Sequence, residues 1–445
     1  MVSLQNHIGM VFNHYYGMAL IGEPAEDGYN ISGQKIFISG GDYKGAENVV
    51  HLLLARIKGA PAGTKGISLF VVPKYRLSAN GDLIPNDVTT FADFQKMGQK
   101  GYCTTHLFFG HNDNCKGWLV GEPNQGLKYM FMMMNGARIA VGRGAAAISM
   151  AAYQASLSYA RERPQGRSLT NTGKKDVSQE QTLIINHPDV KRMLLLQKVV
   201  AEGSLSLILL SSKYHDLAQT HSDPEERERY KNLLEVLTPI AKTYPSEMGL
   251  ISVSNGLQVL GGYGFCSDFI LQQYYRDIRI FSIYEGTTGI QSLDLLGRKI
   301  TMNNGKGLQL LSAEIMNSIK AASEFEDLLP YAGKLKSTLT LAQEVVNFLM
   351  DFAKNGDYER FLSDATVFME FFGNIVVGWL WLDIAVKAQR AMVLNDSKYS
   401  SVFYESKIHA MRFYFKYEIA KTKSLADVLM DKQVLTTSAE KQLFT

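Results

Sequence analysis

Cysteine is scarce: Cys103, Cys115 and Cys266 are the only three in 445 residues, far apart and without a CxxC pair. That excludes a disulfide framework and a thiolate zinc site, and it fits a reducing compartment, so a cytoplasmic location is expected. The nine histidines form no HxxxH or HxH set, and no metal site is expected. An excess of one charge is missing too. The net charge is only +3 and basic residues are spread along the chain, so neither a nucleic acid nor a membrane surface is expected as a partner. Long apolar runs are also lacking. The longest, residues 371–382, is interrupted by Asn374 and flanked by Glu370 and Asp383. It falls well short of the ~20 residues a spanning helix needs and reads as a buried core helix. The first residues carry no basic leader ahead of an apolar run, so no signal peptide is expected.

What is present is the composition of a folded protein, 46% apolar and 20% charged, in a chain too long for one hydrophobic core. Two or three domains are expected. Residues 1–24 hold scattered aromatics and methionines with neither a helical nor a strand period, and they are left unassigned. From Asp27 the pattern changes. Asn30 to Gly41 alternates apolar and polar residues and ends in a glycine pair, and 49–56, 66–73 and 104–109 are further short β-rich runs between Gly/Pro/Asn/Asp loops. A small, mainly antiparallel β domain is therefore expected over 25–120.

The pattern turns helical after Gly126. Helices are expected over 127–163 and from Pro188 to about 217, where proline suits a first turn because its missing N–H has no partner there. A third helix starts in the charged patch 223–231 and a fourth runs to the Gly261-Gly262 turn, making a four-helix bundle over 121–300. Asn303-Asn304-Gly305-Lys306-Gly307 reads as a boundary loop. Amphipathic helices over 308–322, 331–353, 357–391 and 399–421 then give a further all-α domain at 308–435, with Trp379 and Trp381 in packing roles. The expected fold class is α+β.

Chemistry is concentrated in Ile283-Tyr284-Glu285-Gly286-Thr287-Thr288-Gly289-Ile290-Gln291, shortly after the turn Gln258-Val259-Leu260-Gly261-Gly262-Tyr263-Gly264. A carboxylate between an aromatic ring and a glycine is placed as a base beside a cofactor would be. The same spacing also suits a carboxylate capping a helix that opens at Gly286 or Thr287. Spacing alone leaves both readings open.

Four motifs in this order, Lys35-Ile36-Phe37-Ile38-Ser39, Tyr159-Ala160-Arg161-Glu162-Arg163, the Gln258 to Gly264 turn and Tyr284-Glu285-Gly286-Thr287 with Ile290-Gln291, resemble the acyl-CoA dehydrogenases. Gly166-Arg167-Ser168-Leu169, the His187-Pro188 helix start and the extra C-terminal helices look most like the subgroup of 3-methylmercaptopropionyl-CoA dehydrogenase. The resemblance implies FAD-dependent oxidation of an acyl-CoA thioester to the 2,3-enoyl-CoA, the chemistry of fatty acid β-oxidation. Glu285 would remove the α-proton while the β-hydrogen leaves as hydride to flavin N5. The backbone N–H of Glu285 and a flavin hydroxyl would hold the enolate oxygen, and burial against Tyr284 should raise the Glu285 pKa. Some members carry the base one residue before the position matching Arg138; here that residue is Ala137, which favours Glu285.

The resemblance also implies the remaining roles. Arg163 and Gln165 match residues that reach the FAD of a neighbouring subunit, which requires a homodimer or homotetramer. Gln258, Gly261 and Gly262 match a turn that lets the pyrophosphate approach closely. Phe37 and Ser39 match the strand along the flavin ring, and Thr287 and Gln291 touch the dinucleotide. Tyr284 and Gly286 flank the base at the substrate, while Asn135 and Arg138 match residues near its CoA portion. Electron-transferring flavoprotein is the implied acceptor.

Two features depart from the family pattern. Its helical N-terminal domain and its Thr-Glu-Pro…Gly-Ser-Asp loop have no match beyond Ile21-Gly22-Glu23-Pro24, and Tyr102-Cys103-Thr104 replaces a small-residue turn. Two other readings stand beside the dehydrogenase: a non-catalytic assembly homologue truncated at the N-terminus, and a DNA-associated flavoprotein.

Overall fold

The computed structural model describes residues 10–11, 20–169, 172–395, 397–438 and 441–444, so most of the unassigned segment 1–24 lies outside the described residues. The chain forms two compact units, Met1–Gly136 and Ala137–Thr445.

The first unit is built on a sheet of strands β1 (Met10–Val11), β2 (Ile21–Pro24), β3 (Tyr29–Ser39), β4 (Val50–Ile57), β5 (Ile67–Pro73), β8 (Val88–Asp93), β9 (Thr104–Phe109) and β10 (Lys116–Leu119). A two-stranded ribbon of β6 (Tyr75–Leu77) and β7 (Leu83–Pro85) is inserted between β5 and β8. The order is β1-β4-β5-β10-β3-β9-β8, and every pairing is antiparallel except β4 with β1 and with β2. The sheet therefore starts earlier in the chain than residue 25. Ile21–Pro24 shows no period of its own, yet it finds ladder partners on both β3 and β4. Register slips between Lys35 and Ile38 on β3, and in that bulge Phe37 takes a left-handed backbone, φ 60°, that turns its ring outward to 63% exposure.

His51 sits fully inside this unit, its ring edge-on to Phe109 at 5.6 Å and both ring nitrogens without a partner. Burial drives its pKa down from 6.5 to about 4. The neutral form is thus the folded form, while the unfolded chain takes up the proton below pH 6.5. Stability is present above that value and lost as pH falls toward 4. The expected loss is about 2 kcal/mol at about pH 5. Urea midpoints of the β unit should fall between neutral pH and that pH, and His51→Phe should flatten the fall.

The second unit is helical. Helix α1 (Gly126–Glu162) leads into it, followed by α2 (Pro188–Thr220) and α3 (Pro224–Leu260). The expected third and fourth helices are one: α3 runs unbroken through Pro239 and Pro245. Proline at 245 removes the bond to the Ala241 carbonyl. That oxygen faces Gly142 of α1, where a β-carbon would lie only 1.9 Å away, so close backbone packing occupies the space a kink would need. Short helices α4 (Leu271–Ile278) and α5 (Thr288–Asp294) come next. Asn303, Asn304 and Gly305 all have positive φ and turn the chain inside α6 (Met302–Ala322), as the Asn-Asn-Gly composition leads one to expect.

The C-terminal helices are α7 (Leu329–Lys354), α8 (Tyr358–Ser363), α9 (Ala365–Val393), α10 (Ser401–Tyr417) and α11 (Lys421–Leu429). They share one apolar core with α2 and α3. Trp381 donates to the Val199 carbonyl at 3.1 Å and Trp379 to Ser318 Oγ at 2.8 Å, so both indoles are core residues with satisfied N–H groups. Among the described residues two helices, α2 and α9, are by length and composition apolar enough to cross a membrane, which the single run at 371–382 does not reveal. Their most apolar stretches are 61% and 83% buried within the protein, so that apolarity is taken up by the core.

Candidate functional site

The residues expected to act fall into distinct groups. The first surrounds Glu285, in the short connection between the turn after α4 and the start of α5. Glu285 has φ 54° and Gly286 φ 90°, two successive left-handed residues that swing the chain sharply before the helix. A non-glycine side chain in this region carries strain, and such strain is held only where the surroundings over-determine it. Here Gln291 does so: its Nε2 donates to the Glu285 carbonyl at 3.1 Å and toward the Gly286 carbonyl at 3.5 Å. A β-carbon on residue 286 would meet that nitrogen at 2.5 Å, so glycine is required twice over.

The capping reading of Glu285 fails on geometry. The N-cap of α5 is Thr287, whose hydroxyl accepts the Ile290 N–H at 3.3 Å. Glu285 Oε2 is buried and accepts nothing. Tyr284 stands beside it, edge-on to Phe281 at 5.5 Å. Burial pushes the Glu285 pKa up, opposed by the positive charges of Lys242 and Arg138. This is the direction expected from the sequence, and it suits a base that works near neutrality.

Arg138 is 3% exposed and pairs with Asp294 at 2.8 Å; the other Asp294 oxygen takes Arg298 at 2.7 Å. Its partner is thus within the protein, on the helix that begins beside Glu285. Asn135 lies three residues earlier on α1, on the same helical face.

Sequence reasoning missed three residues here. Lys242 of α3 is fully buried, its Nζ lacks any hydrogen bond, and burial lowers its pKa to about 8. Glu247 accepts from the Thr288 hydroxyl, tying α3 to the start of α5. Asp294 is the partner of Arg138. The available signal was a charged residue inside the apolar run around Lys242.

The second group lies at the C-terminal end of α3. Gly261, φ 60°, closes the helix with its N–H on the Gln258 carbonyl, and neither Gly261 nor Gly262 would meet anything within 4 Å if given a β-carbon. Arg163, just past α1, is exposed with its guanidinium 5.8 Å from the Tyr263 ring. Gln165 is fixed through its backbone, donating to the Thr182 carbonyl at 2.9 Å and accepting from His187 Nε2 at 2.7 Å. Phe265 is 96% exposed beside them. Along α3, Lys242 and Gln258 are sixteen residues apart, about 24 Å, so the two groups are well separated. Phe37 and Ser39 belong to the first unit, at the bulge and end of β3.

Comparison with solved structures identifies the fold first. An acyl-CoA dehydrogenase from Bacillus anthracis complexed with FAD superposes with a TM-score of 0.70 at 18% identity, over 97% of this chain and 70% of that one. The sequence matches the family descriptions "acyl-CoA dehydrogenase, C-terminal domain" over residues 174–300 and "acetyl-CoA dehydrogenase C-terminal like" over 311–439. A broad-specificity linear acyl-CoA dehydrogenase of Mycobacterium tuberculosis is 33% identical over 92% of this chain and 68% of its own length. The 3-methylmercaptopropionyl-CoA dehydrogenase of Ruegeria pomeroyi is 38% identical over 80% of this chain and 59% of its own. The chain belongs to the acyl-CoA dehydrogenase family. It spans about 60% of the length of several curated relatives it matches.

Proposed function

We propose that this chain is an FAD-dependent acyl-CoA dehydrogenase in which Glu285 takes the α-proton of an acyl-CoA thioester. The observation that carries the reading is the Glu285 carboxyl, held on a left-handed backbone with a buried oxygen that has no partner. That oxygen satisfies no hydrogen bond within the fold, and burial raises the pKa of the carboxyl, which favours its taking a proton. The thioester α-proton passes to that carboxylate, and the backbone N–H of Glu285 supports the developing enolate oxygen. Tyr284 and Gly286 shape the substrate side of the base, with Asn135 and Arg138 toward the CoA portion. The product of this chemistry is the 2,3-enoyl-CoA.

The residues present fit FAD. Gly261 and Gly262 leave bare backbone open to a pyrophosphate, and Arg163 offers an exposed guanidinium at the same turn. When bound, FAD supplies the acceptor for the β-hydrogen. Phe37 and Ser39 are proposed to lie along its ring, Thr287 and Gln291 against its dinucleotide portion. The separation of Arg163, Gln165, Gln258, Gly261 and Gly262 from Glu285 supports their serving a neighbouring copy, and hence a homodimer or homotetramer. Electron-transferring flavoprotein is proposed as the acceptor. Three free thiols fit a cytoplasmic setting.

Purified protein should take up FAD and, given an acyl-CoA, reduce an artificial dye; failure to take up flavin from excess FAD overturns the reading. Arg163→Ala should weaken FAD binding by roughly 10–100-fold, the loss of a charge-assisted contact, as read from quenching of flavin fluorescence on titration.

A further inference from the structure

The fold grips residue 285 by its carbonyl and leaves its other polar groups unused. The carbonyl accepts from Gln291 Nε2 at 3.1 Å, and the same nitrogen reaches toward the Gly286 carbonyl at 3.5 Å. Among the described residues nothing accepts from the Glu285 N–H, and nothing donates to the buried Glu285 Oε2. Gln291 is itself fully buried, one turn into α5, with its own N–H on the Thr287 carbonyl at 3.0 Å. The other side-chain bonds at the start of α5 stop short of residue 285: Thr287 caps the Ile290 N–H, Thr288 meets Glu247, and Ser292 Oγ donates to the Thr288 carbonyl at 2.7 Å.

The backbone angle gives that single grip its importance. Rotation about N–Cα sets where a residue's N–H points relative to its side chain, and relaxing residue 285 from φ 54° to an ordinary negative value would turn one against the other by roughly 120°. A residue with a side chain is strained in the left-handed region and stays there only if held. We propose that Gln291 is a positioning residue for the reaction: by clamping the Glu285 carbonyl it keeps residue 285 left-handed, so that its N–H and its carboxyl face one thioester. The inference rests on the reading of Glu285 as the base and of its N–H as the donor to the enolate oxygen. The thioester carbonyl and its α-carbon are joined by one bond, so donor and base need a fixed mutual angle. The Nε2 end of Gln291 supplies it and leaves the Oε1 end, buried and without a partner, for the dinucleotide.

The test uses the full chain saturated with FAD. In Gln291→Met, kcat for a short straight-chain acyl-CoA should fall by about 10²-fold while KM changes by no more than about threefold, since alignment is lost and binding is kept. A second reading needs no turnover. The 2,3-enoyl-CoA product, labelled with 13C at its carbonyl, should move downfield on binding to the parent, and Gln291→Met should lose roughly half of that displacement, one of two donors to the oxygen being misaligned. Ser292→Ala removes a bond of the same helix that does not reach residue 285, and it should leave both readings at the parent value. A Gln291→Met protein with the parent's kcat and carbonyl shift overturns the proposal, as does an equal loss in Ser292→Ala, which would assign the effect to a loosened α5. Should Gln291→Met fail to fold, Gln291→Glu keeps the size and sets an oxygen against the two carbonyls; parent-like readings there are the contrary result. A Glu285→Gln chain as fast as the parent would defeat the base assignment instead. The carbonyl shift in that chain, with and without Gln291→Met, would still decide whether Gln291 aims the N–H: a diminished shift supports it and an unchanged one overturns it.

Discussion

Glu285→Gln is expected to lower the rate of acyl-CoA oxidation by on the order of 10² to 10⁴, the range for removing a positioned general base. The substitution is close to isosteric and leaves the backbone φ of 54° and the Gln291 bond to the residue 285 carbonyl as they are. The fold, FAD uptake and substrate binding should therefore persist, and the loss should fall on the chemical step. Rapid mixing of the FAD-loaded protein with excess acyl-CoA separates the two, since the flavin should still be bound but bleach far more slowly. A variant that bleaches at the parent rate would place the base elsewhere. Ala137, at the position some relatives use, carries no group that could replace it.

The largest expected effect on stability comes from Arg138→Met. The Arg138–Asp294 pair is almost completely buried, with side-chain exposures of 4% and 10%. Removing one member of a buried pair leaves the other charge desolvated, at a cost of 3 kcal/mol or more. Asp294 keeps Arg298, so a loss of about 3 kcal/mol is expected, at the lower end of that range. Chemical unfolding of the helical unit, followed by far-UV circular dichroism, measures it. The double variant Arg138→Met/Asp294→Asn should recover part of the loss, because the stranded charge is gone. A single variant as stable as the parent would show the pair to be no more than an exposed contact.

Much of the β unit was legible because a half-buried strand alternates with a period of two and its ends are marked by glycine and proline. Ile21–Pro24 was not, since so short an edge segment is defined by its partners β3 and β4 and not by its own pattern. Prolines at 239 and 245 hid the continuity of α3. Local propensity ends a helix there, while packing against Gly142 preserves it. The Asn303 to Gly305 turn was visible, but the helices beyond it fold onto the same core as α2 and α3, a long-range fact that periodicity does not carry.

At the site, the glycine after Glu285 and the following threonine were readable as a special backbone. Which of Glu285 and Thr287 caps α5 was decided only by the hydrogen bond from Ile290 N–H to Thr287. Glu247 and Asp294 escaped because each works through a partner far away in the chain.

Flavin bleaching measures the central claim most directly. The protein, loaded with FAD and mixed without oxygen with butyryl-CoA and with longer straight-chain acyl-CoA thioesters, should lose its flavin absorbance with at least one of them, and Glu285→Gln should lose it on the order of 10² or more times slower. An FAD-loaded chain that no acyl-CoA bleaches, or a Glu285→Gln variant that bleaches as fast as the parent, would contradict the account.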